Sequence, residues 1–189
     1  METNAVIAAG ALAAAVPLPA AAAAQSNGIG YYVLTSNGGV HNYGTPWYGS
    51  DAGKLPIGMT ATGFAADPAT GGYWIMKSDG NVDSFHAPWF GSAPMRGQAV
   101  TGFTGTPGGG YLMLTSDGGV QNYGTPTYGS DIGHLPAGVT AAGIAADRAT
   151  GGYWILKSNG GVDAFNAPWY GSLAWHVPAG QSVTGITGE

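Results

Sequence analysis

The chain has 189 residues, a formal charge of −5 and only five basic side chains, so it offers no positive surface for DNA or RNA. Charged residues make up 8% of it, far below the ~25% of an ordinary soluble domain. The absence of cysteine excludes a disulfide framework and a thiolate metal site and is neutral about compartment.

Residues 1–27 read as an Ala-rich segment distinct from the rest. Its apolar run from Ala5 to Ala24 is broken by Pro17 and Pro19 and ends in small residues before Gln25, which resembles a signal-peptide cleavage region. Glu2 stands where positive charge is expected, so a retained arm that docks on another subunit is the alternative. No transmembrane span is expected, because the prolines and weakly apolar alanines interrupt the ~20 strongly apolar residues that one needs.

Residues 28–189 form one domain built from four copies of a single unit. Tyr31, Tyr73, Tyr111 and Tyr153 occupy the same place in each copy at steps of 42, 38 and 42 residues, so the pattern renews itself every 80 residues. Copies one and three share Asn-Tyr-Gly-Thr-Pro and a Ser-Asp-x-Gly-x-Leu-Pro-x-Gly loop (Ser50 to Gly58, Ser130 to Gly138). Copies two and four share Tyr-Trp-Ile, Lys-Ser and Ala-Pro-Trp. The unit was duplicated as a pair.

Within each copy, an aromatic and aliphatic run such as Tyr73-Trp-Ile-Met-Lys77 suits a strand, and Asp79-Gly80-Asn81 supplies a three-residue hairpin loop. That loop places Lys77 opposite Asp83 and, by the same reasoning, Lys157 opposite Asp163. A short edge segment follows at Pro88-Trp-Phe-Gly91, and then a run of the Val-Thr-Gly-Phe type. About four strands per 40-residue unit predicts an all-β, four-bladed propeller-like fold. The first copy lacks the Val-Thr-Gly-Phe strand and the chain finishes on a spare one, Ser182 to Thr187. Val183 and Ile186 are therefore expected to pair beside Tyr31 and close the ring, hiding two strand edges.

From Gly28 to Glu189 these residues resemble an actinobacterial secreted repeat family with Gly-Tyr-Trp, Ser-Asp-Gly-Gly-Val and Phe-Gly-Ser-type segments. Tyr31-Tyr32 and Tyr111-Leu112 depart from its Tyr-Trp pattern. The resemblance implies a propeller-like architecture and a cell-surface or extracellular setting more than an activity.

The aromatics are the strongest chemical feature. Trp47, Trp89 and Trp169 each follow a proline, with Thr127 in the remaining copy, and flat rings in such segments either stack on sugars or a partner surface or wedge between units. Trp175 and His176 lie in the last connection, outside the repeat, as a contact point or a plug. The aspartates recur in matched places, as copied turns do, whereas a glycosidase needs one asymmetric pair ~5–9.5 Å apart. The histidines share no repeated position, so no metal site is expected, and no cofactor motif is present. The sequence therefore points to a non-enzymatic exported module that recognises a glycan or cell-envelope polymer through repeated aromatic sites. An assembly subunit of a cell surface or virion, bound to other protein subunits, and a polysaccharide-active enzyme are the alternatives.

Overall fold

The computed structural model describes residues 30–92 and 98–188. The Ala-rich segment 1–27 lies outside the described residues. The fold is all-β: eleven strands form four small antiparallel sheets, and no helix is present among the described residues. The first sheet pairs β1 (Tyr31–Leu34) with β2 (Val40–Tyr43). The second joins β3 (Ala61–Ala66), β4 (Tyr73–Lys77) and β5 (Val82–Phe85). The third joins β6 (Val100–Gly105), β7 (Tyr111–Thr115) and β8 (Val120–Tyr123), and the fourth β9 (Ala141–Ala146), β10 (Tyr153–Lys157) and β11 (Val162–Phe165).

The hairpins form one residue earlier than the sequence suggests. Gly80, at φ 84°, donates its amide to the Lys77 carbonyl at 2.9 Å, and the Lys77 amide bonds the Asn81 carbonyl at 2.8 Å, so the loop is Ser78–Gly80. Ile75, not Lys77, then stands opposite Asp83. This moves the partner by two residues, which preserves the face of the strand. Lys77 consequently still reaches Asp83 on the diagonal, at 2.9 Å, and Lys157 reaches Asp163 at 2.7 Å.

Each complete copy has three strands, not four. The fourth segment carries a proline that cannot donate to a ladder, and side chains hold it instead. The Trp74 indole donates to the Pro88 carbonyl at 2.8 Å, the Trp154 indole to Pro168 at 2.7 Å and the Tyr32 hydroxyl to Pro46 at 2.9 Å. Leu112 has no such donor, and in that copy the Asn122 amide takes the Pro126 carbonyl at 2.8 Å.

The core is three cores, one between each two successive sheets. Along β4, Tyr73 and Ile75 pack backward with Tyr32, Leu34 and Val40, while Trp74 and Met76 pack forward with Tyr111 and Met113. Leu112 and Leu114 do the same with Tyr153 and Ile155. Strand alternation thus serves two interfaces, which is why the central strands are apolar on both faces. The first strands of successive sheets also lie against one another, β3 against β6 and β6 against β9. A Cβ on Gly102 would come within 2.8 Å of the Ile144 side chain, so glycine is needed for that approach.

A buried tyrosine fastens each interface. Tyr73, Tyr111 and Tyr153 are fully buried, and their hydroxyls donate to the backbone carbonyls of Gly49 (2.7 Å), Gly91 and Gly129 (2.5 Å) of the preceding copy. The Tyr73 oxygen also accepts from the Tyr48 amide at 3.2 Å. Burial pushes the Tyr111 phenol up to about 12, which keeps it a donor across the whole working pH range.

The expected ring closure is not formed. Among the described residues β1 pairs with β2 alone, and no sheet closes. Residues 182–188 instead extend the stack. Ile186 sits over Gly143 of β9, as Ile144 sits over Gly102, and Gly188 lies over the Ala146 carbonyl as Gly105 lies over that of Ala66. Val183 is half-buried, and with no ladder partner its segment is not a regular strand.

Tyr73→Phe removes one hydroxyl and leaves the Gly49 carbonyl and the Tyr48 amide unpaired. Urea denaturation is expected to show a loss of about 1–3 kcal/mol, and an unchanged midpoint would refute the fastening role.

Candidate binding sites

The three prolyl tryptophans are exposed: Trp47 58%, Trp89 62% and Trp169 64%. The wedge position is filled by the residues that follow Trp47, Trp89 and Thr127, since Tyr48, Phe90 and Tyr128 contact Tyr73, Tyr111 and Tyr153 of the next copy at 6.0, 6.4 and 6.3 Å between ring centroids, whereas Tyr170 after Trp169 is exposed. Two of the tryptophans are fixed in place. The Trp89 indole donates to the Val82 carbonyl and that of Trp169 to Val162, both at 3.1 Å, so each ring is held next to the residue before Asp83 or Asp163.

Beside each of these two rings lies a carboxyl pair. Asp51 and Asp131 are only 4% exposed, and each lies close enough to the carboxylate of the next copy, Asp83 or Asp163, for that charge to act on it. Asp83 and Asp163 are in turn neutralised by Lys77 and Lys157. Burial, with the neighbouring carboxylate adding to it, pushes Asp51 and Asp131 up to about 6. Each also has a buried Oδ2 without a conventional partner. Protonating the buried carboxyl removes both the cost of a desolvated charge and the repulsion between like charges.

The two sites differ at two positions, His134 against Lys54 and Ala164 against Ser84. Around the fourth-copy site, Ser130, Asp131, His134, Asp163, Phe165 and Trp169 line an open groove of about 570 Å³. In the second-copy site the place of His134 is taken by Lys54, which bonds the Ser50 carbonyl at 2.8 Å and lies 6.0 Å from the Phe85 ring. By sequence, the intervening junction has Ala93, Thr115 and Gln121 where the charged trio would be.

The remaining aspartates serve a turn. The Asp67 carboxylate accepts from the Ala69 amide at 3.0 Å and the Thr70 hydroxyl at 2.6 Å, and Asp147 repeats both bonds with Ala149 and Thr150. The Thr150 hydroxyl holds Asp147 below the usual range. Among the described residues no group of three His, Asp or Glu is arranged to hold a metal ion.

Trp175 and His176 do belong to the repeat, contrary to the sequence reading. The His176 amide bonds the Leu173 carbonyl at 2.8 Å, as the Lys54 amide bonds Asp51 and that of His134 bonds Asp131. Trp175 therefore occupies the place of Gly53 and Gly133, and it keeps their left-handed backbone, with φ 64° against 73° and 75°. That conformation costs a side-chain-bearing residue about 1–2 kcal/mol. Trp175 is nonetheless 77% exposed, and His176 is exposed too, its Nδ1 2.7 Å from the Ala174 carbonyl.

Sequence reasoning missed the Asp51–Asp83 and Asp131–Asp163 pairs, although a signal was present. The buried aspartate occurs only in odd copies and the Lys–Asp hairpin only in even copies, so the two halves are complementary across a copy boundary. No family model, curated protein or solved structure matches this chain.

The raised carboxyls have a direct consequence for stability. Between the ordinary aspartate value near 4 and about 6, the folded chain holds protons that the unfolded chain releases, so stability falls as pH rises through that window. Asp117 and Asp147, held low, titrate beneath it and act in the opposite sense. Thermal melts are expected to show a higher Tm at pH 5 than at pH 7 and a flatter profile in the Asp51→Asn/Asp131→Asn double variant. A parallel pH profile in that variant would contradict the assignment.

Proposed function

We propose that this chain is a non-enzymatic, exported glycan-binding module whose sheets are the blades of a propeller-like arc. The observation that carries the reading is the exposed Trp169 ring, tethered by its indole and set in a groove with Asp131, Asp163 and His134. A fixed indole offers a flat apolar face for a sugar ring, and carboxylate oxygens beside it accept hydrogen bonds from hydroxyls. Trp89 with Asp51 and Asp83 supplies a second site of the same kind, so a polymeric glycan engages both at once and gains affinity without new contacts. Trp47, Trp175 and His176 are further contact candidates. At Trp175 a strained backbone is retained for a side chain that buries little, which favours a role outside the fold. Resemblance to the secreted repeat family points the same way, toward a cell-envelope polymer.

Hydrolysis is disfavoured by the same geometry. One carboxylate of each pair is committed to a lysine, Asp83 to Lys77 and Asp163 to Lys157, so it is not free to act as the nucleophile or base that a glycosidase needs.

Tryptophan fluorescence titration with peptidoglycan and arabinogalactan fragments tests the proposal. Saturable quenching at millimolar ligand is expected, reduced tenfold or more by Trp169→Ala. Trp175→Gly is expected to weaken binding while raising Tm. No saturable signal with any fragment, or full binding by a Trp89→Ala/Trp169→Ala variant, would overturn it.

A further inference from the structure

We infer that the two ends of the stack are complementary to each other and that the chain associates head to tail with a second copy of itself. The three internal interfaces supply the pattern. In each, the first tyrosine of a copy is buried against the preceding copy and donates to its glycine carbonyl, while the aromatic that ends the hairpin covers the same glycine. Phe85 lies against Gly49 and Phe165 against Gly129.

At the first sheet the donor half of this interface is unoccupied among the described residues. Tyr31 is 61% exposed and stacks on Tyr43 at 4.9 Å, and Val33, the counterpart of fully buried Ile75, is exposed as well. At the fourth sheet the acceptor half stands open. Gly171 keeps the φ of 110° seen at Gly91 (109°), yet no atom would lie within 4 Å of a Cβ there, and Tyr170, the counterpart of Tyr48, Phe90 and Tyr128, is 83% exposed.

The backbone is prepared in the same way. Residues 182–188 already lie on β9 where β6 lies on β3, and among the described residues they have no ladder partner and β1 pairs on one edge only. Carrying the β6–β7 register across (Gly105 to Tyr111, Phe103 to Met113) pairs Gly188 with Tyr31 and Ile186 with Val33 of the next molecule. Tyr31 then donates to the Gly171 carbonyl, and Tyr43 covers that glycine. An interface of this kind joins unlike surfaces, so it generates rings or filaments and not isolated twofold dimers. Two exposed strand edges are removed in the process. Sugar binding is not required for it.

Sedimentation equilibrium on the full chain, up to about 1 mM, tests this inference. Wild-type protein is expected to exceed the monomer mass. Tyr31→Asp and Tyr170→Asp, each at an exposed site that blocks one end, are expected to be monomers alone and to form a discrete two-chain species when mixed, because each retains the end that the other lacks. That rescue cannot come from misfolded variants. A wild-type monomer at every concentration would overturn the inference, as would self-association of both single variants at wild-type strength, or a mixture that stays monomeric.

Discussion

The bond from a buried tyrosine hydroxyl to a glycine carbonyl of the preceding copy is the constraint on which this fold rests. It recurs at Tyr73, Tyr111 and Tyr153, each fully buried, and each lies at the centre of an interface between sheets. A sheet of two or three short strands has too little area to bury a core by itself, so stability comes from the surfaces between copies. The phenol suits that role because its ring contributes apolar area while its hydroxyl meets a backbone carbonyl that would otherwise be orphaned. The prolyl segment ending in that glycine is thereby clamped from both sides, by Tyr32 or Trp74 of its own copy and by the tyrosine of the next.

The same boundary between copies produces the candidate sites. Asp51 belongs to the first copy and Asp83 to the second, and they meet only because the sheets stack. A lysine on the hairpin, at 16% side-chain exposure, keeps the pair from carrying two uncompensated charges. With few charges in the chain, placing six of them at two boundaries is a strong local investment, and the exposed tryptophan sits beside each group. The junction between copies two and three lacks the trio, so the stack is patterned in pairs, as the 80-residue period implies.

Much of this was legible in the sequence. The equal placement of Tyr31, Tyr73, Tyr111 and Tyr153 gave the repeat, and β-branched and aromatic runs between glycine turns gave the all-β class. Lys77 and Asp83 were correctly joined because an error of two residues in register does not change a strand's face. The fourth strand was wrongly inferred, since Pro88 removes a donor and side chains replace the ladder. Closure was not legible because strand patterns show what a segment can pair with but not where its partner's edge lies. Ile186 follows Gly143 for the same steric reason that Ile144 follows Gly102. The carboxyl pairs were hidden by treating matched aspartates as copies of one turn, which holds for Asp67 and Asp147 and fails for Asp51 and Asp131. Trp175 escaped the repeat because a tryptophan stands where the pattern has glycine, and the shared turn bond and the positive φ identify the place.

Native-state hydrogen exchange on the Tyr111→Phe variant tests the dependence of the fold on these bonds most directly. If the boundary carries the stability, amides of β4 and β7, on opposite sides of it, lose protection together and by a similar factor. Loss confined to β7, or protection unchanged in both strands, would contradict the account.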